Sequence, residues 1–336
     1  MTKISIILPI YNVEEYLPKA LDCLINQTLK DIEIICVEDC SLDDSLKILE
    51  GYSKKDARIR IIRQKINQGQ GVARNIGIDV AQGEYIMFLD PDDWYELNAC
   101  EIFYNTAKNN SANVVESAFV KYYPESDKYI ITDNYKKLVK EFGIGIKPNQ
   151  FVNIRNYSNY QIQYYELGPC YKIFSREFLK SNNIYFAPYR RAEDQPFMFQ
   201  VKMLTNIFYI DTPLYTYLIR EDSSRSYQPL YEEIVNEIKK FVNKHKEDPF
   251  IQKQCNNYVV WRYLAKYRLS YKNINFIKFF YENKQFLTAE QIKQLIPIIF
   301  YKTFSTIFRN IFSITNSKNR EYKIITILCM QIKISC

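Results

Sequence analysis

Short apolar runs alternate with segments of helical spacing along the first 122 residues, and this alternation constrains the fold more than any other feature. Ile4–Ile10 is an apolar run with no polar face, so it fits a strand covered on both sides. Tyr16–Ile25 places apolar residues at 17, 20, 21, 24 and 25, which is helical spacing. Ile32–Val37 predicts a second buried strand, and Asp43–Tyr52 a helix capped by Ser41 or Asp43. Ile59–Ile62, Tyr85–Leu89 and Val114–Tyr122 predict further strands; Val72–Val80 and Trp94–Lys108 predict helices. This order implies an α/β fold, a mostly parallel sheet flanked by helices. Ligands in such folds sit beyond the carboxyl ends of the strands. The polar clusters fall there: Tyr11-Asn12, Glu38-Asp39, and Asp90-Pro91-Asp92-Asp93.

Several chemistries are excluded. The chain holds one histidine, His245, in a polar stretch, which argues against Ser-His-Asp or Cys-His catalysis and against a His-rich zinc site. No G-x-G-x-x-G follows the first strand and no G-x-x-x-x-G-K-[S/T] occurs, which disfavours dinucleotide-binding dehydrogenases and P-loop nucleotidases. The eight cysteines form no CxxC pair and read as buried free thiols of a reducing compartment. The apolar start Met1–Pro9 is too short for a secretory signal, and no apolar run reaches bilayer length. The expected location is the cytoplasm.

Asp90, Asp92 and Asp93 follow an apolar run directly, and three carboxylates at a strand end repel one another unless a cation sits among them. Hard oxygen ligands of this kind suit Mg²⁺ or Mn²⁺ carrying a diphosphate. Acidic residues also favour a helix N-terminus, which Trp94 is expected to open.

Ser5–Asn12, with Glu14 and Tyr16-Leu17, resembles the opening of family 2 glycosyltransferases. Four further blocks agree in order. Val37–Asp43 is similar to the family's V-x-D-x-S-x-D, and Asn67–Gly77 to its N-x-G-x-x-x-A-R-N-x-G. Phe88–Asp93 resembles the metal-binding D-x-D segment, and Cys170–Leu179 through Glu193–Phe197 the acceptor-side segment with its E-D base. The likeness covers roughly residues 3 to 226 and implies a GT-A nucleotide-sugar-binding domain over 1–226. Residues 227–336 are then a basic, mainly helical C-terminal region.

The resemblance implies roles for these residues. Pro9, Tyr11, Glu14 and Asp39 match positions that hold base and ribose, with Asn67 and Gly69 in the following block. An aspartate can accept from a uracil N–H, and a tyrosine ring can cover the base. Arg74 either meets the diphosphate or pairs with Asp90 to hold the loop. Asp92 is the expected metal ligand, with Asp90 beside it on ribose or a metal-bound water. The block from Leu214 to Ser224 lacks the family's frequent histidine ligand, which leaves Arg220 to face the diphosphate and Asp222 as a substitute ligand. Asp194 is the expected base of a single-displacement inversion, with Glu193 the adjacent alternative.

The implied donor is a nucleotide-sugar, UDP-linked, and the implied acceptor a lipid-linked oligosaccharide or other surface glycan such as lipopolysaccharide, lipooligosaccharide or capsule. A nucleotidyltransferase and a non-catalytic nucleotide-sugar- or glycan-binding protein are the rival readings. Charge adds one expectation. Residues 1–230 hold 27 Lys+Arg against 30 Asp+Glu, whereas residues 231–336 hold 18 against 8. This basic third carries an Ile/Phe stripe from Ile292 to Phe312, which fits either a helix packed on the core or peripheral contact with an anionic membrane. Nucleic acid is not expected as a partner.

Overall fold

The computed structural model describes residues 1–133, 135–136, 140, 145–153, 168–189, 192–220, 231–252 and 254. Met1–Tyr263 form one compact unit; a second, Leu264–Cys336, lies outside the described residues, as do the Ile292–Phe312 stripe and Asp222.

The expected alternation is present: β1 (Ile4–Ile10), α1 (Leu17–Ile25), β2 (Ile32–Glu38), α2 (Ser45–Lys55), β3 (Ile59–Arg63), α3 (Gln70–Val80) and β4 (Tyr85–Phe88). All seven residues of β1 are buried. Successive strand side chains point to opposite faces, so both faces of the sheet are covered there. β3, with exposed Arg60 and Arg63, is an edge strand. The remaining elements are β5 (Trp94–Tyr95), α4 (Ala99–Asn109), β6 (Val114–Tyr123), β7 (Lys128–Thr132), β8 (Gln150–Val152), β9 (Lys172–Ser175), α5 (Arg176–Ser181), α6 (Asp194–Leu204), β10 (Ile207–Leu218) and α7 (Tyr231–Lys244).

One sheet runs in the order β3-β2-β1-β4-β9-β6-β10-β5. β3, β2, β1 and β4 are mutually parallel, as are β6 and β10, while β9 lies antiparallel between β4 and β6. The sheet is therefore parallel where the alternation was regular and mixed beyond β4. One element differs from expectation. Trp94 does not open a helix: Trp94-Tyr95 pairs antiparallel with Tyr215-Thr216, and the helix starts only at Ala99. The Tyr95 hydroxyl donates to the carbonyls of Phe88 and Cys170, a long-range fixing that local helical spacing does not register.

The apolar stripe of α7 buries Ile234, Val235, Ile238, Phe241 and Val242, and Phe241 meets Phe199 of α6 edge-on at 6.1 Å. No helix among the described residues is long and apolar enough to cross a membrane. The five described cysteines are free thiols.

α3 lies close on β1 because Gly77 carries no side chain: a Cβ there would fall 2.4 Å from Ile7 Cγ2. Overpacking of this kind costs about 1–3 kcal/mol. Gly77→Ala is expected to lower the unfolding free energy by about 1–3 kcal/mol, seen as a lower urea midpoint. Ile7→Ala in the same chain should make the pair cost less than the two single losses together. Additive losses in urea titrations would mean the contact is not the cause.

Candidate active site

The turns after β1 and β2 are laced together. Asn12, in the left-handed region at φ 51°, accepts from the Leu42 N–H and donates its own N–H to Ser41 Oγ. Glu14 bonds two neighbouring residues across the turns: its N–H donates to Asp43 Oδ2, and its Oε2 accepts from the Asp44 N–H. Pro9 is buried in β1 opposite Val37, whereas the Tyr11 side chain is exposed.

Asp39 is buried and organises the loop before α3. Its Oδ1 accepts from Gln64 Nε2 at 2.7 Å and the Gln68 N–H at 2.9 Å, and its Oδ2 from the Gly69 N–H at 2.7 Å. Asn67 Nδ2 donates to the Asp39 carbonyl. Gly69 sits at φ 88°, which L side chains rarely adopt, and α3 starts from it. Three expected nucleotide-binding positions, Asp39, Asn67 and Gly69, therefore form one hydrogen-bonded unit.

The three strand-end aspartates have separate environments. Asp93 turns inward, accepting from the Tyr215 hydroxyl and, at 2.7 Å, the Leu218 N–H. It ties the end of β4 to the end of β10 and is no longer available to a cation; the sequence did not distinguish it from its neighbours. Asp90 Oδ1 accepts from Arg74 Nη2 at 2.6 Å, and Asp92 Oδ2 from Arg220 Nη2 at 2.6 Å. The Arg220 guanidinium lies 4.5 Å from the Tyr16 ring centroid. Burial and the Asp90 charge push the Asp92 carboxyl above the usual range, with Arg220 pulling it back.

Among the described residues no group of three or more His, Cys, Asp or Glu side chains is arranged to hold a metal ion. Asp90 and Asp92 remain as a two-carboxylate donor set. That set fits Mg²⁺, which commonly takes one or two carboxylates together with substrate phosphates. A cation at Asp92 would also relieve the repulsion that raises its carboxyl.

Arg74 is almost fully buried. Besides Asp90 it bonds Glu193 through Nη1–Oε1 at 2.5 Å. Burial would lower its pKa, but the Asp90 and Glu193 carboxylates more than offset this and keep it charged. Glu193 is buried, whereas Asp194, in the first turn of α6, is half-buried. Ala192 before them sits at φ 54°, left-handed backbone that alanine disfavours.

Four further polar residues went unnoticed in the sequence. Lys172, fully buried, bonds the Gly168 carbonyl at 2.8 Å and pairs with Glu116 at 3.3 Å, and Glu116 also accepts from the Tyr135 hydroxyl. Burial lowers Lys172 to about 8, opposed by Glu116 and, more weakly, by Asp194. Lys202 on α6 is buried, and among the described residues its Nζ has no hydrogen-bond partner. Burial lowers it to about 7, with Glu116 opposing and Lys172 reinforcing. A charged residue inside an apolar strand run, as Glu116 and Lys172 are, was the available signal.

Unfolding returns the Lys202 amine toward its ordinary value of 10.5. Between about pH 7 and pH 10.5 the unfolded chain therefore binds more protons than the folded one, and this lysine makes stability rise with pH across that window. Lys202→Met is expected to raise the thermal midpoint, by more at pH 6 than at pH 10. Melting curves at both values check this, and an equal change at both would refute it.

Comparison with known proteins adds independent findings. Residues 5–181 match the profile described as Glycosyl transferase family 2. EpsH of Bacillus subtilis is 34% identical over 228 residues, which is 66% of this chain and 62% of EpsH. Glycosyltransferase GlyG of Streptococcus pneumoniae is 31% identical over 223 residues, covering 66% of this chain and 72% of GlyG. Poly(ribitol-phosphate) beta-glucosyltransferase of Bacillus spizizenii is 33% identical over 231 residues, but the match covers only 33% of that enzyme. Among solved structures, S. aureus TarS in complex with UDP-GlcNAc aligns with a TM-score of 0.61 at 24% identity, covering 81% of this chain and 77% of that one. That likeness shows a shared GT-A-like fold.

Proposed function

This chain belongs to glycosyl transferase family 2, and from that premise we propose that it inverts the anomeric centre of a UDP-hexose or UDP-N-acetylhexosamine while transferring the sugar to a hydroxyl of a growing surface glycan. The observation that carries the reading is the span of Arg74. Its two terminal nitrogens hold Asp90, on the donor side, and Glu193, next to Asp194 on the acceptor side, so residues far apart in sequence share one site. The relatives support the choice of substrates: TarS was solved with UDP-GlcNAc, and the Bacillus spizizenii relative is named for poly(ribitol-phosphate).

In this reading the Tyr11 ring covers the base, and the unit of Asp39, Asn67 and Gly69 presents the nucleotide, with Pro9 and Glu14 shaping the turn. Asp90 and Asp92 would hold Mn²⁺ or Mg²⁺, which when bound neutralises diphosphate charge as a Lewis acid. Arg220, already beside Asp92, supplies a further cation for the leaving diphosphate. Asp194 takes the proton from the acceptor hydroxyl; that oxygen bonds to the anomeric carbon as the bond from this carbon to the diphosphate oxygen breaks, and UDP departs.

The reading is tested by incubating the protein with nucleotide-sugars and Mn²⁺ and following nucleotide release. Asp92→Asn and excess EDTA are each expected to abolish release. Asp194→Asn should lower it ~10²–10⁴-fold, the usual worth of a general base, with calorimetric UDP affinity nearly unchanged. No release from any donor by the unaltered protein would favour a glycan- or nucleotide-sugar-binding role instead.

We place the enzyme in the cytoplasm, docked peripherally on anionic membrane through its basic C-terminal region. Each lysine or arginine near such a surface contributes roughly 1 kcal/mol. Flotation with anionic liposomes at low salt is expected to carry the full-length protein upward, and protein left in the dense fraction would refute the docking.

A further inference from the structure

The Arg74 bridge has a chemical asymmetry. A donor diphosphate would need guanidinium N–H groups facing it, yet both terminal nitrogens of Arg74 are committed to carboxylates and its side chain is 3% exposed. Arg220, the other guanidinium beside these aspartates, is 24% exposed and lies on Asp92. The two arginines thus divide between an internal and an accessible task.

The internal task concerns the segment that leads into α6. Asn75, next to Arg74 on α3, grips that segment in both directions, accepting from the Phe186 N–H and donating to the Phe186 carbonyl. Gly71, one turn earlier, leaves room for it: a Cβ there would fall 2.6 Å from the Ala187 carbonyl oxygen and 2.9 Å from Glu193 Cγ. The chain then passes through the left-handed Ala192 and enters α6 at Asp194. Glu193 Oε1 on Arg74 is the last fixed point before Asp194. Among the described residues Arg74 Nε and Glu193 Oε2 are buried without hydrogen-bond partners, so the bond between Arg74 and Glu193 joins the Asn75–Phe186 pair in holding this junction.

We infer that Arg74 and Glu193 are positioning residues for Asp194. Arg74 binds no phosphate, and Glu193 takes no proton from the acceptor; together they fix the strained entry to α6 so that the Asp194 carboxylate meets the acceptor hydroxyl. The same guanidinium holds Asp90, so the donor-side and acceptor-side carboxylates keep a constant separation. This rests on the reading of Asp194 as the base.

The test uses the full-length chain with Mn²⁺, comparing Arg74→Lys, Glu193→Gln and the double variant. Two measurements are made: calorimetric affinity for UDP, and the rate of UDP release from UDP-N-acetylglucosamine or UDP-glucose with water as acceptor, whichever donor is faster. A lysine keeps the charge but is a point donor that does not reproduce the planar fork. Each single variant is expected to lose tenfold or more in kcat while UDP affinity stays within threefold. The double variant should fall little below either single one, because both cut the same bridge. Three results would overturn the inference: a greater than tenfold loss of UDP affinity in Arg74→Lys, unchanged kcat with a lowered melting temperature, or additive losses in the double variant. Should Arg74→Lys not fold, Glu193→Gln, nearly the same shape, carries the same split. Asp194→Asn is run alongside. If it keeps its rate, the base reading fails by itself; if Glu193→Gln is the more damaging of the two, Glu193 is the base and the positioning role falls.

Discussion

A guanidinium removed from water must find counter-charge, and the site is built around one that does. Arg74, 3% exposed, spans Asp90 and Glu193. Breaking a buried pair strands a charge in a low-dielectric interior, which is far costlier than losing a surface pair. The ends of β4 and the start of α6 are therefore held to a common centre on α3. The close approach of α3 to β1 at Gly77 makes this geometry available.

The same economy of charge explains why adjacent carboxylates behave differently. Asp93 is satisfied by Tyr215 and Leu218 and serves the sheet, joining β4 to β10 across the intervening β9 and β6. Asp90 is satisfied from within by Arg74. Asp92 pairs with the more accessible Arg220 and is pushed upward by burial and the Asp90 charge, so a cation there would relieve its charge. Three identical side chains in four positions thus acquire three different environments: Asp93 within the sheet, Asp90 on the buried Arg74, and Asp92 on the more accessible Arg220.

Much of this was legible in the sequence, and the boundary is physical. β1 to β4 and their helices could be read because unbroken apolar runs and 3.6-residue spacing are local signals. The clusters at Asp39 and Asp90 stand out because each follows a buried strand, whereas the blocks around Arg74 and Asp194 stand out through their resemblance to family 2 glycosyltransferases. Trp94-Tyr95 was misread because its strand exists only through pairing with residues more than a hundred positions later. The sequence allows Arg74 either phosphate or Asp90 as partner, and its bond to Glu193, 119 residues away, has no sequence signature. Lys172, Glu116 and Lys202 were passed over as parts of apolar or amphipathic runs, although their burial makes them the charges most sensitive to their surroundings.

The two-way bond between Asn75 and Phe186 has a consequence for recombining family members. The stretch that presents Asp194 looks like an interchangeable cassette, entered at the end of β9 and left at the end of α6. It is in fact docked on α3 through Asn75, Arg74 and the bare backbone of Gly71. A graft that carried only this stretch into another scaffold would bring a plug without its socket. What such a graft must carry is the discontinuous pair of α3 and the segment it grips.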